Sequence, residues 1–506
     1  MRPMQESRVV LLTLTVALIV AGTAAQNMGS EADRVIDEAL KASPLEDDLR
    51  QLTDNIGGRV PGTPAMQRAI DWAVAAFTAA GGENVHTETF KMPASWSEGK
   101  TELQISWERT DQKTGSRSSG TFAPRVVSLS WAPALARHRQ VPIVDVGSGS
   151  EGDFSKAGST AGALLLVHSE EMSKWEDLFA EYLKAPGIIE RALKGKALAI
   201  AFQSTRPLDL LYRHTNATAG EIDRIPMVLV AREDASRVAR LLTGGQKVYS
   251  DIAIPNQVGG PISSADVVAE LRGTEKPDEL VILGAHLDSW DLGTGALDNG
   301  CNAALVIDAL RAIKASGIRP RRTIRFVLFS GEEEGMMGSR AYVMAHRGEL
   351  DRLVGEVVFD SGIGRVTGFS LGGRKDALDG AHQLVAPLKR FDAANLTTDA
   401  SWGTDNFDFL LEGVPTFVAN QDEGNYLINY HASSDTFDKV DIPQLKKHVA
   451  EAATLTLALA NAPERVGKRL NHAEIEQTMR ETHLDEQLKT FGIWQDWVKG
   501  TRGRKD

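Results

Sequence analysis

Three short apolar runs in this chain each end at an ionisable residue, and that arrangement restricts the fold more than any other feature. Leu280 to Ala285 ends at His286, Thr323 to Ser330 ends just before Glu332 and Glu333, and Glu356 to Phe359 ends at Asp360. Runs of this length and composition read as strands buried on both faces. Helical patterns follow at Asn302 to Ala315 and Ser339 to Arg347. A further strand-like run covers Val414 to Ala419, and a long helical pattern covers Phe437 to Leu459. The alternation predicts an α/β fold, a mostly parallel but mixed sheet sandwiched by helices. In such sheets the site gathers outside the carboxyl ends of the strands. His286, Glu332, Glu333 and Asp360 all sit at such ends.

Taken singly, a His or Asp at a strand end is more often a structural hydrogen-bonding residue than a ligand. Together with Asp288, Asp298 and His431, these residues form a set of imidazole and carboxylate donors suited to hard or borderline divalent metals. Acids gathered this closely resist ionising unless a cation compensates them. Cys301, three residues after Asp298, reads as a small buried residue at a helix start rather than a thiolate ligand.

The chain has 506 residues, enough for two or three domains, and a formal net charge of -12. That charge, with no Lys or Arg cluster, argues against a nucleic-acid partner. Arg2 and Arg8, the apolar run Val9 to Val20, and Thr23-Ala24-Ala25 form a secretory leader over residues 1–25. The expected location is secreted or periplasmic, with no membrane span after cleavage; an uncleaved anchor is the alternative. The single Cys allows no intramolecular disulfide, which suits a bacterial periplasm or exterior. Asn216 and Asn395 begin two N-x-Thr sequons.

The expected domain division places one discontinuous domain, which carries the imidazole and carboxylate donors, at 26–123 and 259–463. Its first part reads as helical from Ser30 to Phe90, with helices at Glu31 to Ala42 and Ala65 to Ala80 and a loop at Gly57 to Thr63. A β-rich insertion occupies 124–258, with strand-like runs at Val141 to Val146, Ala163 to His168 and Pro226 to Val230. Gly147 to Gly152 within it matches G-x-G-x-x-G. A dinucleotide site is rejected there, because only about ten residues separate this strand from the next, too few for a crossover helix. The polar extension 464–506 is expected to dock as a helix or to mediate association as a homodimer, with no chemistry of its own.

The segments GAHLDSWDLGTGALDNG, FSGEEEGMMGSRAY and NYHASSDTFDKVD, with Asp360 between the last two, resemble the metal-binding segments of the M28 metallopeptidases. The first is especially similar to the plasma glutamate carboxypeptidase branch, also called carboxypeptidase Q. GGRVPGTPA at 57–65 and Gly403-Thr404-Asp405 fit the same branch. The resemblance implies two Zn²⁺ bridged by Asp298. His286 and Asp360 would complete one site, and Glu333 and His431 the other. Glu332 would be the general base, with Glu334 a weaker candidate. Asp288 would hydrogen-bond the far nitrogen of His286 and fix its tautomer. The family holds the peptide after its bridging Asp in the cis form. Tyr430 would donate to the oxyanion, as in related carboxypeptidases, although the nearest branch has His there. The inserted region resembles a protease-associated domain, which binds or covers substrate without chemistry of its own.

The implied activity is an exported di-zinc exopeptidase acting on dipeptides or short peptides. Alternatives are an M28 aminopeptidase, a one-zinc glutaminyl cyclase and a non-catalytic receptor-like ectodomain. An aminopeptidase needs an acid for the substrate ammonium, and Asp405 could serve. A carboxypeptidase needs a cation or backbone donors for the terminal carboxylate, and Arg59 or Arg374 could serve.

Overall fold

The computed structural model describes residues 29–216 and 219–505. The leader expected at 1–25 and Thr218 of the first sequon lie outside them. Two eight-stranded sheets dominate.

The first sheet runs, in spatial order, Glu83–Met92, Ile262–Leu271, Arg322–Phe329, Lys276–His286, Leu353–Val358, Thr416–Gln421, Val366–Ser370 and Asn395–Thr397. Its central pairings are parallel, and its antiparallel pairings involve the first two strands and Val366–Ser370 against Thr416–Gln421. The register places the functional ends level. His286 lies opposite Phe329, three residues before Glu332. Gly284 lies opposite Val358, so Asp360 falls beside His286.

Side chains alternate across this sheet with the two-residue period of a strand. Val281, Leu283, Ile324 and Phe326 enter one core with the helices Cys301–Ala315 and Ile442–Asn461. Ile282, Val327 and Phe329 enter the other with Tyr342 and Val343 of the helix Met337–Ala345. Both faces are covered, which is why these strands read as unbroken apolar runs.

Two local expectations change. Residues 83–92, of which 83–90 belong to the stretch read as helical, form a strand antiparallel to Ile262–Leu271. Val85, Thr87 and Thr89 are β-branched at every second position and suit that edge. The long helix begins at Ile442 rather than Phe437, because the Asp441 carboxylate caps Gln444 N–H and Pro443 fits only a first turn.

The second sheet runs Arg117–Phe122, Glu102–Thr110, Lys247–Ile254, Leu135–Asp145, Leu164–Val167, Ala199–Gln203, Met227–Val230 and Val126–Ser128. It therefore takes in two strands that precede residue 124. The chain leaves the first sheet after Met92 and rejoins it at Ile262, and these two residues are paired neighbours. A two-stranded stem of Ser95–Ser97 and Gln257–Gly259 joins the layers.

The short connection after Asp145 does leave room for a crossover helix. Leu135–Asp145 and Leu164–Val167 pair in parallel, and that helix, Glu151–Ala157, fits between them. A different fact removes the dinucleotide site. Asp153 Oδ2 accepts from the N–H and hydroxyl groups of both Ser148 and Ser150, so the glycine-rich loop already holds an anion. Gly147 and Gly149 adopt positive φ to bring those donors round.

The C-terminal extension folds back as His472–Glu481, Leu484–Thr490 and Trp494–Lys499. These pack with Phe407, Leu411 and Met336 of the layer built on the first sheet. Arg502 closes the junction with two bonds to Asp408, at 2.8 and 2.6 Å, both side chains being buried. Arg502→Ala leaves that carboxylate unpaired, so it should cost about 3–5 kcal/mol in urea unfolding. A loss under about 1 kcal/mol would contradict the extension being an integral layer.

Candidate metal centre

Asp298 sits where a loop enters the helix Cys301–Ala315, and its two oxygens face different imidazoles. Oδ1 lies 3.2 Å from His286 Nε2, and Oδ2 lies 3.2 Å from His431 Nε2. Each imidazole has a second carboxylate. Asp360 Oδ1 is 3.0 Å from His286 Nε2, and Glu333 Oε2 is 2.9 Å from His431 Nε2. His286, Asp298 and His431 are buried, and Glu332 faces the adjoining cavity. The Asp298–Asn299 peptide is cis.

The electrostatics are those of an acid cluster short of positive charge. Burial, with Asp360, Asp405 and Glu333 nearby, pushes Glu332 well above the usual carboxylate range. Burial and Asp298 do the same to Glu333. Burial also acts against ionised Asp298, but hydrogen bonds from His286 and His431 outweigh it and hold that group low. Burial disfavours a charged His286, yet Asp360, Asp288 and Asp298 outweigh it and push the imidazole well up. Burial holds His431 down.

Divalent cations fit this arrangement on two observations. Glu333 Oε1 is buried without a hydrogen-bond partner. Two sets of donors, His286 with Glu332 and Asp360 and His286 with Asp298 and Glu333, place their atoms within 4.8 Å of one another. Imidazole and carboxylate in this mixture suit zinc.

Residues named from sequence divide into those at the centre and those behind it. The Asp288 carboxylate stands 3.7 Å from His286 Nδ1 and is among the groups that raise that imidazole. The Asp288 backbone carbonyl lies 3.1 Å from His286 Nδ1, while the carboxylate accepts the N–H groups of Glu332 and Glu333 at 3.3 and 3.2 Å. Asp288 thus holds both the imidazole and the Glu332–Glu333 turn. Tyr430 lines the cavity, its hydroxyl 3.2 Å from that of Tyr182. Asp405 is buried outside the cavity lining, and burial, with Asp360 and Asp288 nearby, raises it to about 8. Glu334 is likewise buried, with neither carboxylate oxygen hydrogen-bonded. Cys301 is buried, and burial pushes its thiol up, against a ligand role.

Neither Arg proposed for a substrate carboxylate is free. Arg59 is buried and donates to the carbonyls of Leu287, Thr294 and Gly295 at 2.7–2.8 Å. Arg374 pairs with Asp376 and donates to the carbonyls of Gly413 and Lys468.

Two residues without an assigned role prove central. Asp435 accepts the N–H groups of Ala296, Leu297 and Asp298 at 3.1, 2.7 and 3.1 Å, holding the loop that presents Asp298. Burial pushes this carboxyl up to about 7. Tyr426 donates to Asp298 Oδ2 at 2.9 Å. Asp435 stands in the quoted NYHASSDTFDKVD segment and Tyr426 just ahead of it, yet nothing local distinguishes either.

A cavity of about 500 Å³ opens over the centre. Asp298, Glu332, Glu333, Asp360 and His431 form its floor. The helix Trp175–Lys194 of the second layer forms a roof, and Trp402, Gln487 and Phe491 form a wall. The extension, expected to carry no chemistry, therefore reaches the cleft. Among the described lining residues there is no Lys or Arg.

Residues 266–456 match the family model for peptidase family M28. The chain is 26% identical to mouse carboxypeptidase Q over 426 residues, 82% of this chain and 85% of that protein. Human carboxypeptidase Q is 26% identical over 434 residues, with the same shares covered. A peptidase M28 precursor from Shewanella amazonensis superposes with a TM-score of 0.78 at 25% identity, covering 88% of this chain and 99% of that one. A zinc aminopeptidase from Bacillus subtilis shares the fold, with a TM-score of 0.64 at 17% identity over 85% of this chain and 98% of that one. The matched segment holds His286, Asp298, Glu332, Glu333, Asp360 and His431 together, so the part of the chain that is similar to peptidase family M28 is the part that carries the candidate metal centre.

Proposed function

We propose that the protein is an exported di-zinc exopeptidase that hydrolyses dipeptides or other short peptides. The observation that carries this reading is Asp298, which offers one oxygen beside each of two imidazoles at the floor of a cavity of small-ligand size. Asp298, His286 and Asp360 would hold one ion, and Asp298, Glu333 and His431 the other. Zinc held there supplies Lewis acidity and makes water a competent nucleophile near neutral pH. The full donor set favours hydrolysis over the one-zinc cyclase and receptor readings. Export rests on the leader pattern at 1–25.

The chain's own residues do the rest. Glu332 accepts the proton of the attacking water and passes it to the leaving amine. Tyr430 donates its hydroxyl proton to the oxygen that gains charge. Asp288 keeps Glu332 in place through its turn, and Tyr426 and Asp435 keep Asp298 in place. The second sheet acts as a protease-associated-like layer that carries the cavity roof. Its roof and the extension's wall restrict the site to short substrates.

An aminopeptidase reading has one specific support. The described lining holds no cation for a substrate carboxylate, whereas Asp399 lines the cavity and could meet an ammonium group.

The purified protein should contain close to two zinc equivalents, and chelation should abolish dipeptide hydrolysis. Folded protein free of transition metal by elemental analysis would sink the reading. Glu332→Gln should keep its metal while turnover falls on the order of 10²–10⁴-fold. Asp435→Ala should weaken zinc about 10- to 100-fold in a chelator competition, because the loop presenting Asp298 loses its acceptor. In a panel of free, N-acetylated and C-amidated dipeptides, loss on blocking either end supports a dipeptidase. Undiminished cleavage of the amidated forms supports the aminopeptidase.

A further inference from the structure

We propose that Tyr182, on the roof helix of the inserted layer, is a positioning residue for catalysis that orients the Tyr430 hydroxyl toward the reacting carbonyl. The inference rests on the role given to Tyr430 above. It makes the inserted layer part of the catalytic apparatus rather than a passive cover.

The roof helix presents one face to the cleft. Trp175, Leu178, Phe179, Tyr182, Leu183 and Pro186 all line it, at the three- and four-residue spacing of a single helical stripe. Five of the six are apolar, and Tyr182 alone carries a hydroxyl. That hydroxyl lies 3.2 Å from Tyr430 Oη. A phenol has one proton to donate and can accept as well. If Tyr430 spent its proton on Tyr182, it would have none for the substrate. If Tyr182 donates instead, Tyr430 keeps its proton free and becomes the better donor, because linked hydrogen bonds polarise one another.

The approach of the two rings is fixed from several sides. Arg206 Nη2 donates to the Tyr430 carbonyl at 3.0 Å, and Arg213 N–H donates to the His431 carbonyl at 3.0 Å. Tyr212 bridges to Ala432 in antiparallel fashion. All three residues belong to the inserted layer. On the opposite side the Tyr430 ring stacks on His431, with centroids 3.6 Å apart. The Tyr182 ring packs on His214 at 5.0 Å, and Trp175, about two turns earlier on the same stripe, packs on Tyr426 at 5.5 Å. The roof therefore touches both tyrosines of the floor, and the 3.2 Å contact is one of a set.

Tyr182→Phe keeps the ring and its packing and removes only the hydroxyl. It should lower kcat about 3- to 10-fold, the worth of one neutral hydrogen bond, with KM within about twofold and zinc content unchanged. Tyr430→Phe should lower kcat on the order of 10²–10³-fold. The double variant should be no slower than Tyr430→Phe alone, since Tyr182 acts through that hydroxyl. Full turnover in Tyr182→Phe beside a crippled Tyr430→Phe would overturn the inference and leave the function standing. Additive losses in the double variant would also overturn it, because they mean that Tyr182 acts independently. Full turnover in Tyr430→Phe would remove the oxyanion role on which both rest, while the zinc and Glu332 measurements judge the peptidase reading separately.

Discussion

The shared carboxylate of Asp298 is the point on which the rest of this structure turns. It stands between two imidazoles, each of which also faces a second acid. Buried like charges at such separations oppose folding unless something offsets them. The surroundings do so with fixed groups of both signs. Asp435 collects the three N–H groups ahead of the loop's end. Arg59, wholly buried, ties carbonyls at the start and the end of the same loop. A buried anion and a buried cation thus grip one backbone segment, and neither is spare for substrate. The cluster remains acidic after these contacts, which is the condition under which divalent cations stabilise both the site and the fold.

Much of the catalytic layer was legible because its strands are buried on both faces. Double burial makes a strand an unbroken apolar run, and a run that stops at His286, Glu332 or Asp360 announces the edge of the sheet. His286, Glu332, Glu333 and Asp360 could be read for the same reason, as polar residues stand out against such runs, whereas the roles of Asp298 and His431 came from the resemblance of their segments. Asp435 and Tyr426 could not be read. Their roles come from contacts across about 130 residues of chain, with local sequence typical of any polar loop. For Asp288 the spacing reports proximity to His286 but not which atom comes nearest: the carbonyl stands 3.1 Å and the carboxylate 3.7 Å from Nδ1. The strand at 83–92 was hidden by its exposed edge, whose polar residues resemble a helix surface.

The glycine-rich loop at 147–152 shows how a motif can be present and already satisfied. Its turn does aim N–H groups at an anion, as the pattern implies. The anion is the chain's own Asp153, which also completes the cap of the following helix. The spacing used to discount a crossover was a poor guide, since a seven-residue helix sufficed. Whether a loop binds phosphate depends on what its donors lack, and here they lack nothing.

The position of the insertion explains how a second layer can serve the site without disturbing the first. The chain departs and returns at Met92 and Ile262, neighbours in one antiparallel pair. To the catalytic sheet the whole second layer is therefore a long hairpin loop, and loop-closure entropy grows only slowly with loop length. The stem carries Trp96, which stacks on Trp131 at 5.9 Å; Trp131 meets Trp290 at 6.2 Å, and Trp290 meets His431 at 5.9 Å. An aromatic chain thus runs from the hinge of the insertion to an imidazole of the centre. The Arg206 and Arg213 contacts add a second junction on the other side of that imidazole. Two junctions flanking one histidine fix the inserted layer in rotation as well as in distance, which a single stem could not do. The roof helix can then place a side chain over the cleft as reproducibly as the sheet beneath it.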